Sequence, residues 1–237
     1  MFYFDLPYLV AVGVCIVLAL WAQARVKMAF ARYSQEPTRR GMTGAQVAEG
    51  ILRHHGIEGV KIEPVAGSLS DHYDPKSRTL RLSEPVYGSS SMAAVGIAAH
   101  EVGHAIQHAT GYAALQFRSA WVPLARTGGG LSFIVIVIAL MLGGASTALG
   151  LKVAWAGVGL FGLTTIFTLV TLPVELDASR RALVALSEGG YVSREEHDGA
   201  KAVLDAAALT YVAAAVSSLI MLLYWAYSLG LLGSRRD

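Results

Sequence analysis

The sequence predicts a mainly α fold: four transmembrane helices, with a small α+β region between the first two. Composition is the first ground. Hydrophobic residues make up 54% of the 237 and charged residues 15%, where a soluble domain carries about 25% charged. The second ground is length. A bilayer core needs roughly 20 consecutive apolar residues as helix, and four stretches supply them.

The first stretch, Leu6 to Ala24, is uncharged between Asp5 and Arg25. The second centres on Leu131 to Leu149, between Arg126 and Lys152, and the third lies between Lys152 and Glu175. With only a few residues around Lys152 separating them, these two are expected to form a tight hairpin. The fourth runs from Ala206 to Leu232. The chain accordingly divides into a first transmembrane helix (1–30), an α+β region (31–126), a helical hairpin (127–174), a connecting helical region (175–205) and a last transmembrane helix with its tail (206–237).

Basic residues near span ends set the expected orientation. Arg25, Lys27, Arg32, Arg39, Arg40, Arg118, Arg126, Arg180 and Arg181 all fall on one side of a four-span chain. The other side holds Lys152, Arg235 and Arg236. The region from Arg25 to Arg126 is therefore expected in the cytoplasm, with both termini outside. A cleaved signal ending at Ala22-Gln23-Ala24 would reverse this. The segment Met-Phe-Tyr-Phe-Asp before the apolar run has no positive charge, which favours an uncleaved anchor.

Other classes drop out. Net charge is +2 with no dense Lys/Arg block, so nucleic acid is not an expected partner. The one cysteine, Cys15, lies in an apolar run. Neither a disulfide within the chain nor a cysteine zinc site can form. Any metal must be held by His, Asp or Glu.

The polar region has readable local structure. Thr43 with Gln46 makes a capping box, and Val47, Ala48, Ile51 and Leu52 recur at helical spacing before a stop at Gly56. Val60 to Val65 reads as a strand. Gly67 to Lys76 reads as a turn closed by Asp74-Pro75. Arg78 to Ser83 alternates through Leu80 and Leu82 as a half-buried strand does. Ser89 to Ser91 can cap a helix reaching about Ala109, with Gly111 just past its end.

That last helix carries His100-Glu101-Val102-Gly103-His104. Histidines four apart share one helical face, about 6 Å along the axis, and can converge on one zinc ion. Glu101 then stands beside the ion as general base. The approach Ala93, Ala94, Val95, Ile97, Ala98, Ala99 is apolar, so charged and imidazole groups there would be costly without partners.

A catalytic zinc site takes three protein ligands. His108 continues the face but lies about 12 Å along the axis from His100, too far to share the ion. His54 and His55 are expected in solvent, and His197 on a solvated face. Glu175, an acid at a membrane boundary on the side of the zinc helix, is the expected third ligand. Its other reading is a carboxylate near the N-terminus of a helix beginning at Pro173. Asp177 could hydrogen-bond a ligating imidazole.

These residues match a known pattern. Asp71-His72-Tyr73-Asp74-Pro75, Leu80-Arg81-Leu82-Ser83, Ala99-His100-Glu101-Val102-Gly103-His104-Ala105-Ile106-Gln107, Pro173 to Arg181 and Leu204 to Ala214 resemble the YugP-like family of membrane zinc metallopeptidases. The resemblance spans nearly the whole chain and implies a bacterial inner-membrane protein. More distantly, the layout is similar to gluzincin membrane proteases of the HtpX and Ste24 type. Those have two His ligands, a downstream Glu ligand and an Asp four residues after that Glu. Here the corresponding position is Ser179 and the acid is Asp177.

The expected activity is a zinc endopeptidase, with one Zn²⁺ per chain, acting on a peptide or membrane-protein substrate near the cytoplasmic membrane surface. Arg78, Thr79, Leu80, Arg81, Leu82 and Ser83 could pair with an extended substrate by strand addition. An ordinary sheet strand is the alternative. Tyr211, His72 and Arg180 are candidate oxyanion donors. The cluster Asp71 to Asp74 is either a tight turn or a second metal site; the turn is the simpler reading. Two other classes stay open: a site-2-type protease cutting within the bilayer, and a non-catalytic adaptor with a structural zinc. A regulatory membrane partner is not specified by the sequence.

Overall fold

The apolar runs form long helices because a backbone in lipid must satisfy its own hydrogen bonds. The computed structural model describes residues 5–232, apart from the side chains at positions 126, 127 and 145. Arg235 and Arg236, and the side chain of Arg126, lie outside the described residues. The chain is mainly helical. In order it forms α1 (Leu6–Tyr33), α2 (Gly44–His54), β1 (Lys61–Val65), β2 (His72–Asp74), β3 (Thr79–Ser83), α3 (Glu84–Tyr87), α4 (Met92–Ala109), α5 (Ala113–Met141), α6 (Ala148–Glu188) and α7 (Arg194–Ser228). It divides into two compact units.

The first unit comprises residues 1–21, 117–172 and 211–237. Helices α1, α6 and α7 are long and apolar enough to cross a membrane, which makes three spans. Counting the bent pair Ala113–Ala125 and Gly128–Met141 within α5 as one span makes four. The pair is bent by 48°, just past Pro123, a residue that interrupts the helical ladder. A core forms within this unit from Ile136, Ala139, Ala154, Val158, Tyr224, Trp225 and Leu229. Asp5 caps α1 by accepting from the Tyr8 amide at 2.9 Å, and it also accepts from the Tyr224 hydroxyl at 3.1 Å.

The hairpin turn is not at Lys152, which lies inside α6. The chain turns at Gly143 and Gly144, with φ of 88° and 55°, a left-handed backbone that glycine adopts without a Cβ penalty. Thr147 fixes it by donating to the Leu142 carbonyl at 2.6 Å and accepting from the Gly150 amide at 3.0 Å. A lone lysine marked the wrong place because its long stem can carry its charge away from an apolar helix.

The second unit comprises residues 22–116 and 173–210. Its α2 begins with the capping box foreseen at Thr43 and Gln46. Val47, Ala48, Ile51 and Leu52 are buried, while His54 and His55 are exposed. The three strands form one sheet in the order β1-β3-β2, β1 parallel and β2 antiparallel to β3.

The segment read wholly as a turn contains β2, which the Asp-rich sequence concealed. The turn itself is Asp74 to Arg78, where Asp74 accepts from the Lys76 amide at 2.9 Å and the Ser77 hydroxyl at 2.7 Å. In addition, β3 is the central strand, so Thr79 to Ser83 is not an edge open to a substrate along its length: β1 pairs with all of it and β2 with Thr79, Leu80 and Arg81.

Helix α4 is the centre of this unit. Ser91 caps it, accepting from the Ala94 amide at 3.2 Å. Its Ala94, Val95, Ala98, Ala99, Val102 and Ala105 join a core with Ile51 of α2, Leu80 and Leu82 of β3, Ala182 and Leu186 of α6, and Ala200 and Leu204 of α7. The many alanines put short side chains between these helices, which lets them pack closely.

Candidate metal centre

The approach of α4 to α6 builds the site. At Gly103 an added Cβ would lie 2.3 Å from the Ala178 carbonyl oxygen, so the two backbones touch where no side chain fits. His100 and His104 flank that glycine on α4, and Glu175 lies one turn before Ala178 on α6. Helix α6 runs unbroken through Pro173. Glu175 is therefore not at a helix N-terminus, and the dipole reading of its carboxylate falls.

Glu175 Oε2 lies 3.1 Å from His100 Nε2 and 3.4 Å from His104 Nε2. All three ligand atoms fall within 4.8 Å of one another. Tetrahedral ligands at about 2.05 Å from an ion would sit about 3.3 Å apart, so the two Glu175 distances are those of a cage. The two imidazole rings stand 4.8 Å apart at 82°. Both turn Nε2 inward because Nδ1 is engaged elsewhere: His100 Nδ1 is 3.0 Å from the Ser179 hydroxyl, and His104 Nδ1 is 3.0 Å from Gln107 Oε1. The residues present fit a divalent ion. They could hold one.

Glu101 is buried on the same helix, 7% exposed. In the metal-free chain, burial is the largest influence and pushes its carboxyl up to about 7. The charges of Glu175 and Asp71 act in the same direction, and His100 opposes them. Asp71 belongs to the sheet: its Oδ1 accepts from the Ser83 amide at 2.7 Å. Among the described residues, the group positioned to hold a metal is His100, His104 and Glu175, and the Asp71 to Asp74 segment serves the sheet and its turn.

Asp177 does not reach an imidazole; it accepts from Gln107 Nε2 at 2.9 Å. Arg180 is largely exposed and ion-paired with Asp177. His72 is exposed at the end of β2, its Nδ1 2.9 Å from the Ser70 carbonyl. Tyr211 lies on α7 within the first unit. His108 stands off the cage with Nδ1 2.9 Å from the Tyr73 hydroxyl. His197 is half-buried rather than solvated. Sequence reasoning passed over Gln107 and Ser179. The signal was helical spacing: Gln107 is three residues after His104, and Ser179 four after Glu175, each on its ligand's own face.

Two imidazoles and a carboxylate converging beside a buried glutamate define the class, a protein with the donor set of a zinc hydrolase. Residues 8–230 match the profile of the family described as "Putative neutral zinc metallopeptidase", and the chain belongs to that family of zinc metallopeptidases. It is 43% identical over 206 residues to "Putative membrane protease YugP" of Bacillus subtilis (strain 168), an alignment covering 87% of this chain and 89% of that protein. No solved structure matches it.

Proposed function

We propose that the chain is a zinc-dependent endopeptidase that cleaves peptide bonds near the cytoplasmic surface of a bacterial inner membrane. His100, His104 and Glu175 hold the ion and Glu101 is the general base. The supporting observation is the position of Glu175 Oε2, 3.1 and 3.4 Å from two imidazole nitrogens. When bound, zinc supplies Lewis-acid chemistry, making water acidic near neutral pH and polarising a carbonyl oxygen. Glu101 takes a proton from the attacking water and passes it to the leaving amine.

The edge strand β2 is the better place for an extended substrate than β3, because among the described residues β2 pairs with a strand on one side and β3 on both. The opposite edge, β1, carries Pro64 and lacks a donor there. Model peptides N-methylated at alternate backbone nitrogens test this. One alternating set should raise KM; an unchanged KM for both sets rules out strand pairing.

Surface cleavage is favoured over cleavage inside the bilayer because α4 is not among the candidate spans. The ligand assignment is tested with Glu175→Ala. Purified wild type should carry one zinc per chain, and the variant should lose it on dialysis, since two imidazoles alone make a weak site. Full zinc content in Glu175→Ala would remove this residue from the cage.

A further inference from the structure

We propose that Gln107 and Asp177 are positioning residues: Asp177 orients the Gln107 amide, and that amide decides which ring nitrogen of His104 faces Glu175. The inference rests on the metal reading above and concerns how the chain presets one ligand.

A side-chain amide can sit either way round, and its partners decide which. Gln107 is fully buried, 0% exposed. Its Nε2 donates to the Val174 carbonyl at 2.8 Å and to Asp177 Oδ2 at 2.9 Å. Neither partner can donate, so the NH₂ group must lie on that side. Oε1 is then left facing His104 Nδ1 at 3.0 Å. An acceptor there requires the ring proton on Nδ1 and leaves the lone pair on Nε2, the atom turned to Glu175.

Asp177 is itself clamped. Arg181 Nε donates to Oδ2 at 2.6 Å, and Arg180 donates to Oδ1. Arg181 also donates to Thr110 Oγ1 at 3.4 Å, at the end of α4, and lies over the Tyr112 ring at 5.7 Å. One guanidinium thus joins the end of α4 to α6 and anchors the acceptor that orients Gln107. His100 is held differently. The Ser179 hydroxyl beside its Nδ1 can donate or accept, so nothing there selects a tautomer. His104 is the preset ligand and His100 the adaptable one.

The test uses the full-length protein in detergent, with Zn²⁺ alone competed against a chromophoric chelator. The thermal midpoint of each metal-free variant is read separately. Gln107→Leu should weaken Zn²⁺ binding about 10–100-fold and Asp177→Ala about tenfold, the range for losing a partner of a ligating histidine. Asp177→Asn keeps an oxygen for Gln107 and should stay within about threefold of wild type. Wild-type affinity in Gln107→Leu overturns the proposal. If that variant does not fold, wild-type affinity in Asp177→Ala does so instead. Equal losses in the Asn and Ala variants would also overturn it, since charge and not amide orientation would then matter. So would a lowered metal-free midpoint with unchanged affinity, which marks packing alone. Failure of the metal reading is distinguishable: wild type would bind no Zn²⁺, or His104→Ala would bind it normally.

Discussion

Glu101→Gln will keep its zinc and lose peptide cleavage by about 10²–10⁴-fold, the range for removing a general acid–base group. The amide matches the carboxyl in shape and leaves His100, His104 and Glu175 untouched, so metal content should equal that of wild type. It cannot take a proton from water. Retained cleavage of a general peptide substrate would exclude Glu101 as the base. Unchanged cellular function in a variant without cleavage would instead mark the chain as an adaptor with a structural ion.

The same variant carries a pH prediction for the metal-free protein. Burial raises Glu101 in the folded chain from 4.5 to about 7, so folding favours its neutral form. The gain is complete below about pH 4.5 and is lost as pH rises through about 7. The amide of the variant stays neutral throughout. The thermal midpoint of Glu101→Gln should therefore rise relative to wild type between pH 5 and pH 8, by the equivalent of about 2–3 kcal/mol. A constant gap between the two metal-free proteins would show that Glu101 titrates at its ordinary value.

Gly103→Ala should separate the helices that carry the ligands. The new methyl would stand 2.3 Å from the Ala178 carbonyl oxygen and 3.0 Å from its carbon. Both are backbone atoms in the middle of α6, so relief requires the helices to move apart. Overpacking of this kind costs about 1–3 kcal/mol, and a misplacement near 1 Å at a catalytic site costs about 10²-fold in rate. Lower zinc affinity, a lower thermal midpoint and lost activity should appear together. Gly13→Ala, where a methyl meets nothing within 4 Å, serves as the control and should match wild type. Wild-type behaviour of Gly103→Ala would mean that α4 and α6 do not meet at this point.

Legibility followed the range of the forces involved. The cap at Thr43, the cap at Ser91 and the stops at Gly56 and Gly111 were readable because each joins residues a few positions apart. The apolar runs of α1, α6 and α7 were readable because lipid imposes one solution on a long apolar segment. The hairpin turn lies at Gly143-Gly144, where backbone freedom permits it, and not at Lys152, whose charge alone does not break a helix. Strand β2 was hidden because Asp71 and Asp74 favour turns. Its pairing with β3 is decided by contacts between separate segments. Glu175 was legible as an acid at a membrane boundary, and because a zinc cage otherwise lacks a third ligand.

By itself, the sequence determined the membrane character, the helix bearing His100, Glu101 and His104, and the need for one further protein ligand. The tertiary structure decided which oxygen meets those imidazoles, and that Gln107 and Ser179, rather than Asp177, touch the rings directly. It also decided that β3 is interior to its sheet. The physical reason is a single close approach. Gly103 lets two backbones touch, and how deep one helix seats against another depends on both helices, which neither segment encodes alone.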